Sequence, residues 1–102
     1  MFVNIPNCVE KIGTSAFCGN RYVCVVTIPE SVYAIGTGAF YGCEFLTDVK
    51  IPDSVRAIGM SPFEGCPLLE PKGIDCPGWI DKNKLLAGPE NWDYGLFNSY
   101  SV

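Results

Sequence analysis

The chain has no histidine, no run of basic residues and no long apolar segment, and each absence removes a class of function. Histidine is the usual general base and the commonest metal ligand, so most hydrolytic and zinc sites lack their central residue here. The formal net charge is −4 over 102 residues, whereas nucleic acids and anionic membranes bind basic surfaces. A transmembrane helix needs roughly 20 consecutive apolar residues, and no segment approaches that length. We therefore expect no nucleic acid, no cofactor and no membrane insertion.

Cysteine is present, but its spacing is not that of a metal site. None of the six cysteines forms a C-x-x-C pair, and their density is below the roughly 8–10% of disulfide-stapled miniproteins. The first ten residues, MFVNIPNCVE, have neither the basic start nor the apolar core of a signal peptide. The sequence thus predicts no metal site and leaves the compartment of the protein open. Its length and its apolar share of 48% are those of one globular domain.

What the chain does contain is an internal repeat. Residues 26–48 and 49–71 are identical at 12 of 23 positions, far more than unrelated segments share. The same step of 23 residues connects a set of isoleucines: Ile5, Ile28, Ile51 and Ile74. It also connects one phenylalanine in each copy: Phe17, Phe40 and Phe63. A period of this length indicates a solenoid with one coil per repeat.

Each repeat begins with a strand pattern. In Val26-Thr27-Ile28 the apolar residues alternate with a polar one, which predicts that Val26 and Ile28 face the core and Thr27 faces outward. Strands from successive coils would stack about 4.8 Å apart. Pro29 ends the strand because it has no backbone donor.

The rest of the coil returns through apolar and small residues. Val32 and Ile35 would line the interior, and Gly36 permits a turn where a side chain would collide or φ must be positive. Ala39 and Phe40 would fill the far corner. In the third repeat, Ser61-Pro62-Phe63-Glu64 has the order of a capping box, so we expect one short helical turn at this corner of every coil. Two glycines would close these turns: Gly42 and Gly65.

One interior position alternates between asparagine and cysteine: Asn20, Cys43 and Cys66. Such side chains can satisfy buried backbone groups of the turn, and we call these three residues the ladder. A nucleophile or a disulfide between Cys43 and Cys66 is the alternative interpretation. The other cysteines fall at unrelated repeat positions, and two of them could pair in an oxidising compartment: Cys8, Cys18, Cys24 and Cys76.

These motifs resemble a known family. The segment from Cys43 to Cys66 is similar to the BspA-type leucine-rich repeat, with its I-P-x-x-V-x-x-I-G-x-x-A-F unit. The resemblance implies a leucine-rich-repeat solenoid of the α/β type, a curved stack of mostly short parallel strands with short helical or 3-10 turns. It also implies that the strand-lined face binds proteins, in many members at the surface of microbes or parasites, in adhesion or host contact. The predicted domain at 1–78 comprises three full coils and a partial fourth: 3–25, 26–48, 49–71 and 72–78.

Both ends depart from the repeat. The fourth coil is predicted to fail after Ile74, where polar or small residues replace the expected ones. Residues 79–102 are not repeat, and a brief helix from Asp81 would stop at Gly88. The favoured interpretation is a cap, with these residues covering the last coil: Trp79, Leu85, Leu86 and Trp92. The alternative is an aromatic partner-binding tail. The first coil has no polar cap, which predicts end-to-end self-association through its exposed apolar edge.

The candidate site is the outward face of the stacked strands. Its central column is Asn4, Thr27 and Lys50. Three acidic residues flank it: Asp48, Glu30 and Asp53. Paired carboxylates can hydrolyse glycosides, but a solvated acidic rim is the simpler interpretation of Glu30 and Asp53. We therefore predict a protein-binding module with no catalytic residues. A cell-surface adhesin and an intracellular interaction scaffold, or a fragment of a longer repeat protein, remain alternatives.

Overall fold

The computed structural model describes residues 1–86, which form a solenoid of stacked parallel strands. The seven strands in chain order are β1 (Phe2–Asn4), β2 (Lys11–Ile12), β3 (Val25–Thr27), β4 (Ala34–Ile35), β5 (Asp48–Lys50), β6 (Ala57–Ile58) and β7 (Ile74–Asp75). They make a four-stranded sheet, β1-β3-β5-β7, and a three-stranded sheet, β2-β4-β6. A 3-10 helix, Pro71–Gly73, precedes β7, and the α-helix α1, Lys82–Leu85, follows it. The chain is thus a leucine-rich-repeat type of solenoid with few helices, as predicted.

The first three coils stack in a constant register. Val3 pairs with Val26, and Val26 pairs with Val49, so that equivalent residues lie side by side. The predicted alternation is confirmed, because Val26 and Ile28 are buried whereas Thr27 is exposed. Each strand therefore gives one face to the core and one to solvent.

The phenylalanines form a stack along the interior. The ring centroids of Phe17 and Phe40 lie 5.1 Å apart, and the angle between the ring planes is 1°. For Phe40 and Phe63 the centroid distance is 5.4 Å and the interplanar angle is 11°. Phe40 and Phe63 are fully buried, as is Leu46, and Leu69 is almost fully buried. Both leucines precede the next strands. Burying one such side chain stabilises the fold by about 1.5–3 kcal/mol, so the column of rings is a main support of the stack.

The far corners are turns, and the expected helical turns are absent from the described residues. The amide N–H of Phe17 donates to the carbonyl of Ala39 in the next coil at 2.7 Å, and that of Phe40 donates to Pro62 at 2.9 Å. The intervening N–H groups donate three residues back, as Cys18 does to Ser15 at 3.1 Å. Because every second corner amide bonds to the neighbouring coil, the corner cannot form the continuous i to i−4 pattern of a helix.

Ser61 is not the helix cap that the sequence suggested. A capping residue has an extended backbone, whereas Ser61 has φ 49°, in the left-handed region. Its side chain is buried, and its Oγ has no hydrogen-bond partner among the described residues. The two glycines expected to close the corners do adopt left-handed backbone, with φ 72° at Gly42 and 79° at Gly65.

Gly36 allows two coils to approach closely. A Cβ built on Gly36 would lie 2.5 Å from the backbone nitrogen of Thr14, and one on Gly59 would collide with the backbone of Thr37. The amide N–H of Gly36 donates to the carbonyl of Ile12 at 2.7 Å. The predicted collision is therefore confirmed, and it arises between coils.

The fourth coil is partial, as predicted: among the described residues it contributes β7 to the four-stranded sheet but no strand to the three-stranded sheet. It continues beyond Ile74, however, with its strand shifted by two residues relative to the repeat of 23. Ile74 pairs with Val49 instead of standing opposite Ile51, and the 3-10 helix occupies the connection. The amide N–H of Ile80 donates to the carbonyl of Pro77 at 3.0 Å, the bond that each earlier coil makes after its strand. The repeat pattern thus continues to the buried Ile80, while the division of the chain at residue 78 stays a prediction.

The last coil is covered in part by the segment that follows it. Leu85 in α1 is buried and Leu86 is half-buried, and the choice between a cap and a tail for residues 79–102 stays a prediction. Asp81 caps α1, since its Oδ1 accepts from the amide of Asn83 at 2.9 Å. Trp79 was expected to contribute but is exposed. Trp92 and Gly88 lie outside the described residues.

We predict that Ser61→Gly raises the free energy of unfolding by about 1–2 kcal/mol. Glycine adopts φ 49° without strain, and the substitution removes a buried hydroxyl that lacks a partner. Urea titration measures the change. Ser15→Gly is the matched control, because Ser15 has φ 56° at the equivalent corner but is exposed, so its gain should be smaller. An unchanged or lower stability of Ser61→Gly would contradict the prediction.

Candidate protein-binding face

The outward side chains of the four-stranded sheet form the candidate face, which we call the strand face. The predicted column is assembled in register: Asn4 pairs with Thr27, and Thr27 pairs with Lys50. The structure extends it by Asp75, the partner of Lys50. All four residues are exposed, so the column is open to a partner.

A second column on this face was not predicted, although it includes Asp48 from the predicted rim. It joins Phe2 to Val25, and Val25 to Asp48. Phe2 is exposed and Val25 is half-buried. The carboxylate Oδ2 of Asp48 accepts from the hydroxyl of Thr47 at 2.8 Å. The strand face therefore changes from uncharged in the first two coils to charged in the later ones.

The two other acidic candidates lie beyond the strand ends. Glu30 and Asp53 are exposed and follow β3 and β5 in the chain. Asp53 borders a surface depression with Arg56 and Trp79, whereas Asp48 lines a separate one on the strand face. The structure thus brings Asp48 to the predicted face but places Asp53 beside a different surface.

Sequence reasoning missed a stripe of exposed apolar side chains. Tyr22, Phe45 and Leu68 occupy equivalent positions, and they are 76%, 51% and 50% exposed. Each directly precedes a buried residue that faces the core before the next strand. The signal was available, since these three residues are also spaced by the repeat step, but the positions are not identical in sequence. We call these three residues the apolar stripe.

Depressions adjoin the apolar stripe on its strand side. One of about 540 Å³ is lined by Met1, Tyr22 and Phe45, together with Arg21. Another of about 500 Å³ lies beside Leu68 in the later coils. Large apolar side chains exposed in a row, next to concave surface, are typical of a contact site for another molecule.

Exposed ion pairs lie beside the stripe. Arg21 and Glu44 approach to 3.7 Å, and Lys72 and Glu70 approach to 3.2 Å. Pairs as exposed as these contribute little to stability. Their charges are therefore available to orient a partner.

The ladder cysteines are hydrogen-bonded thiols. Cys43 Sγ donates to the carbonyl of Phe17, and Cys66 Sγ donates to that of Phe40, both at 3.1 Å. In the first coil, Asn20 Oδ1 instead accepts from the amide of Tyr22 at 3.0 Å. The two thiols thus bond to backbone carbonyls of the preceding coil, and the structural role of the ladder stays a prediction.

Burial makes the ladder thiols poor nucleophiles. Desolvation raises the pKa of the Cys66 thiol from 9.0 to about 11. It also raises the pKa of the Cys43 thiol. A reactive cysteine needs the opposite shift, because the thiolate is the attacking form. All six cysteines are free in the structure. The chemistry of Cys43 and Cys66 therefore favours a structural role.

Neither a metal-binding cluster nor a membrane-spanning helix occurs among the described residues. Among residues 1–86, no group of three or more histidine, cysteine, aspartate or glutamate side chains is placed to hold a metal ion. Within the same residues, no helix has the length and apolar character that crossing a membrane requires.

We expect the stability of the protein to fall between about pH 9 and 11 because of Cys66. In this interval the unfolded chain loses the thiol proton while the folded chain retains it, so deprotonation favours unfolding. Urea titrations across the interval measure the decline. Cys66→Ser is the matched control, since a serine hydroxyl can donate to Phe40 but does not titrate there. Parallel declines of the two proteins would contradict the assignment.

The family model for the BspA type leucine rich repeat region (6 copies) matches residues 2–76. No curated protein and no solved structure gives a significant match. The matched range contains all seven strands, the phenylalanine stack and the ladder. On this match and this architecture, the chain belongs to the BspA-type leucine-rich repeat family.

Proposed function

We propose that this protein is a protein-binding module that acts by surface complementarity along the strand face and the apolar stripe. Leucine-rich-repeat domains generally bind protein partners, and this solenoid is a leucine-rich-repeat domain. The observation that supports this location of the binding site is the apolar stripe, which consists of three large side chains exposed at equivalent positions of successive coils. The proposal includes no cofactor and no catalysis. Turnover in a broad hydrolase screen would overturn that part of it.

The two parts of the surface would contribute differently to binding. Tyr22 and Phe45 offer large apolar area, and tyrosine is among the residues that most often dominate the affinity of an interface. Lys50 and Asp75 lie on the charged half of the strand face, where charge complementarity would set the orientation and the rate of association. We therefore expect affinity to depend mainly on the stripe and specificity mainly on the charged half.

The stripe can be tested with a matched set of variants. We expect Phe45→Ser and Tyr22→Ser each to weaken binding of a purified protein partner by at least roughly tenfold, which is typical of a central apolar contact. The partner would be identified by affinity selection on the immobilised chain, and affinities would be measured by calorimetry. Tyr41→Ser is the control, because Tyr41 is 46% exposed but lies at the far corner of the coil.

Thermal unfolding should be similar for the three variants, since all three side chains are exposed. Loss of binding in Tyr41→Ser with no loss in the stripe variants would move the site to the opposite side of the solenoid. A partner whose affinity changes in none of the variants would contradict the proposed location.

For the setting of this binding, we propose cell-surface adhesion or host contact, on the resemblance to surface members of the family. An intracellular interaction module is the second candidate. It is supported by the six cysteines, which are all free in the structure.

A count of free thiols distinguishes the exported form from the intracellular one. The protein is isolated from its natural source and unfolded in denaturant before the count, so that buried thiols react as well. The exported form should have at least one disulfide among the four cysteines outside the ladder: Cys8, Cys18, Cys24 and Cys76. Six free thiols in freshly isolated protein would contradict export to an oxidising compartment and would support the intracellular module.

A further inference from the structure

The exposure of the apolar stripe does not depend on the ends of the chain. Phe45 lies in the second coil, between the strands β3 and β5, and a coil packs on either side of it. Its side chain is nevertheless 51% exposed, whereas the next residue, Leu46, is fully buried. Tyr22 and Leu68 occupy the same place in the adjacent coils. The stripe is therefore a surface of the repeated coil itself.

The spacing of the stripe selects the secondary structure of a partner. Successive coils are about 4.8 Å apart, so the three side chains lie in a line of about 10 Å along the solenoid axis. On an α-helix, residues i, i+3 or i+4, and i+7 share one face and span about 10.5 Å. On an extended strand, three side chains of one face span about 13.5 Å. The stripe therefore matches a helix that lies along the solenoid axis.

The backbone beside Phe45 offers little to an extended peptide. Such peptides bind mainly through main-chain hydrogen bonds to a strand edge, and Phe45 lies outside the strands. The neighbouring amides are also occupied, since Leu46 N–H donates to Cys43 at 3.1 Å and Thr47 N–H donates to Cys24 at 2.8 Å. A helix satisfies its own backbone and needs only side-chain contacts. The hydrogen bonding thus favours the same class of partner as the spacing.

The depression beside Leu68 has an excess of negative charge. Two carboxylates line it, those of Asp48 and Glu70, and one ammonium, that of Lys72. Lys72 and Glu70 approach to 3.2 Å, so their charges balance. Asp48 accepts from the Thr47 hydroxyl at 2.8 Å but forms no ion pair among residues 1–86. A basic side chain of the partner would complement this remaining carboxylate.

The other end of the stripe is balanced in charge. Beside Tyr22, the side chains of Arg21 and Glu44 approach to 3.7 Å and are of opposite sign. The surface is thus neutral near Tyr22 and negative near Leu68. A helix carries a positive partial charge at its N-terminus, where the backbone N–H groups are unpaired. The favourable orientation therefore places the N-terminal part of the helix at Leu68.

We propose that the apolar stripe binds one amphipathic α-helix of a partner protein, an inference that rests on the proposed function above. The helix lies along the solenoid axis, and its apolar residues i, i+3 or i+4, and i+7 pack on Leu68, Phe45 and Tyr22 in that order. A lysine or arginine near the first of these apolar residues pairs with Asp48.

Selection from a displayed library of random peptides of about 18 residues, long enough for a helix of several turns, tests the class of partner. The full chain is the target, and counter-selection on Phe45→Ser removes peptides that bind elsewhere. We expect the enriched peptides to share apolar residues at i, i+3 or i+4, and i+7, with a basic residue near the first of them. Circular dichroism should show that their helix content rises on binding. A central proline should weaken binding by at least roughly tenfold, because it breaks the helix.

Charge reversal tests the orientation of the helix. We expect Asp48→Lys to weaken the binding of an enriched peptide by at least roughly tenfold. Replacing the basic residue of the peptide by glutamate should recover most of this loss. Asp53→Lys is the matched control, because Asp53 is also exposed but borders a different depression, so the affinity should not change. Calorimetry measures the dissociation constants.

The outcomes separate this inference from the proposed function. Enriched peptides with alternating apolar residues, or with an acidic residue in place of the basic one, would overturn the helical partner. If they still required Phe45, the protein-binding function would stand. Equal affinities of Asp48→Lys and Asp53→Lys for a helical peptide would overturn the orientation. A library that gives no peptide able to distinguish the wild-type chain from Phe45→Ser would also overturn the inference, while affinity selection of a whole protein partner would still decide the function.

Discussion

The hydrogen bonds between successive coils are the interaction on which the rest of the structure depends. No coil has enough residues to bury its own apolar side chains, so each is completed by the coils before and after it. The bonds run along the strands, at the glycines before each corner and at every second amide of the corner itself. This network fixes the distance between coils, and the spacing in turn decides which side chains can occupy each position.

The close spacing explains residues that otherwise resemble functional motifs. Gly36 is required because the backbone of Thr14 occupies the place of its side chain. Cys66 is small enough for the interior and still offers a donor to the carbonyl of Phe40. Glycine-rich loops and cysteines at repeated positions can suggest phosphate binding or thiol chemistry, but here they follow from the packing of one coil on another.

Much of the scaffold could be predicted from the sequence, because a side chain buried between two identical neighbours is constrained in every repeat. The alternation around Thr27, the burial of Phe40 and the collision at Gly36 are all of this kind. The prediction of a helix at the corner was wrong. It was based on the local signal Ser61-Pro62-Phe63-Glu64, whereas the corner amides bond to a neighbouring coil. Sequence spacing cannot show such a competition between local and inter-coil hydrogen bonds.

The surface was harder to predict than the core. Tyr22, Phe45 and Leu68 differ in identity, so a comparison that counts identical residues does not detect them, although their exposure makes them the most distinctive surface feature. The strand column from Asn4 to Lys50 was found because it follows from the alternation of the strands. Its role in binding does not follow from position, because solvent-facing residues pack against nothing that would restrict their type.

The late arrival of the fourth coil shows what kind of length change this architecture accepts. Two residues are inserted before β7, and Ile74 still faces the core while Asp75 faces solvent. Side chains of a strand alternate with a period of two, so the register of β7 is set by its own apolar and polar residues. The extra length is taken up by the connection that contains the 3-10 helix, and Ile74 pairs with Val49. In this solenoid, a change of length is therefore tolerated where it falls in a connection, because it leaves the pairing of the strands unaffected.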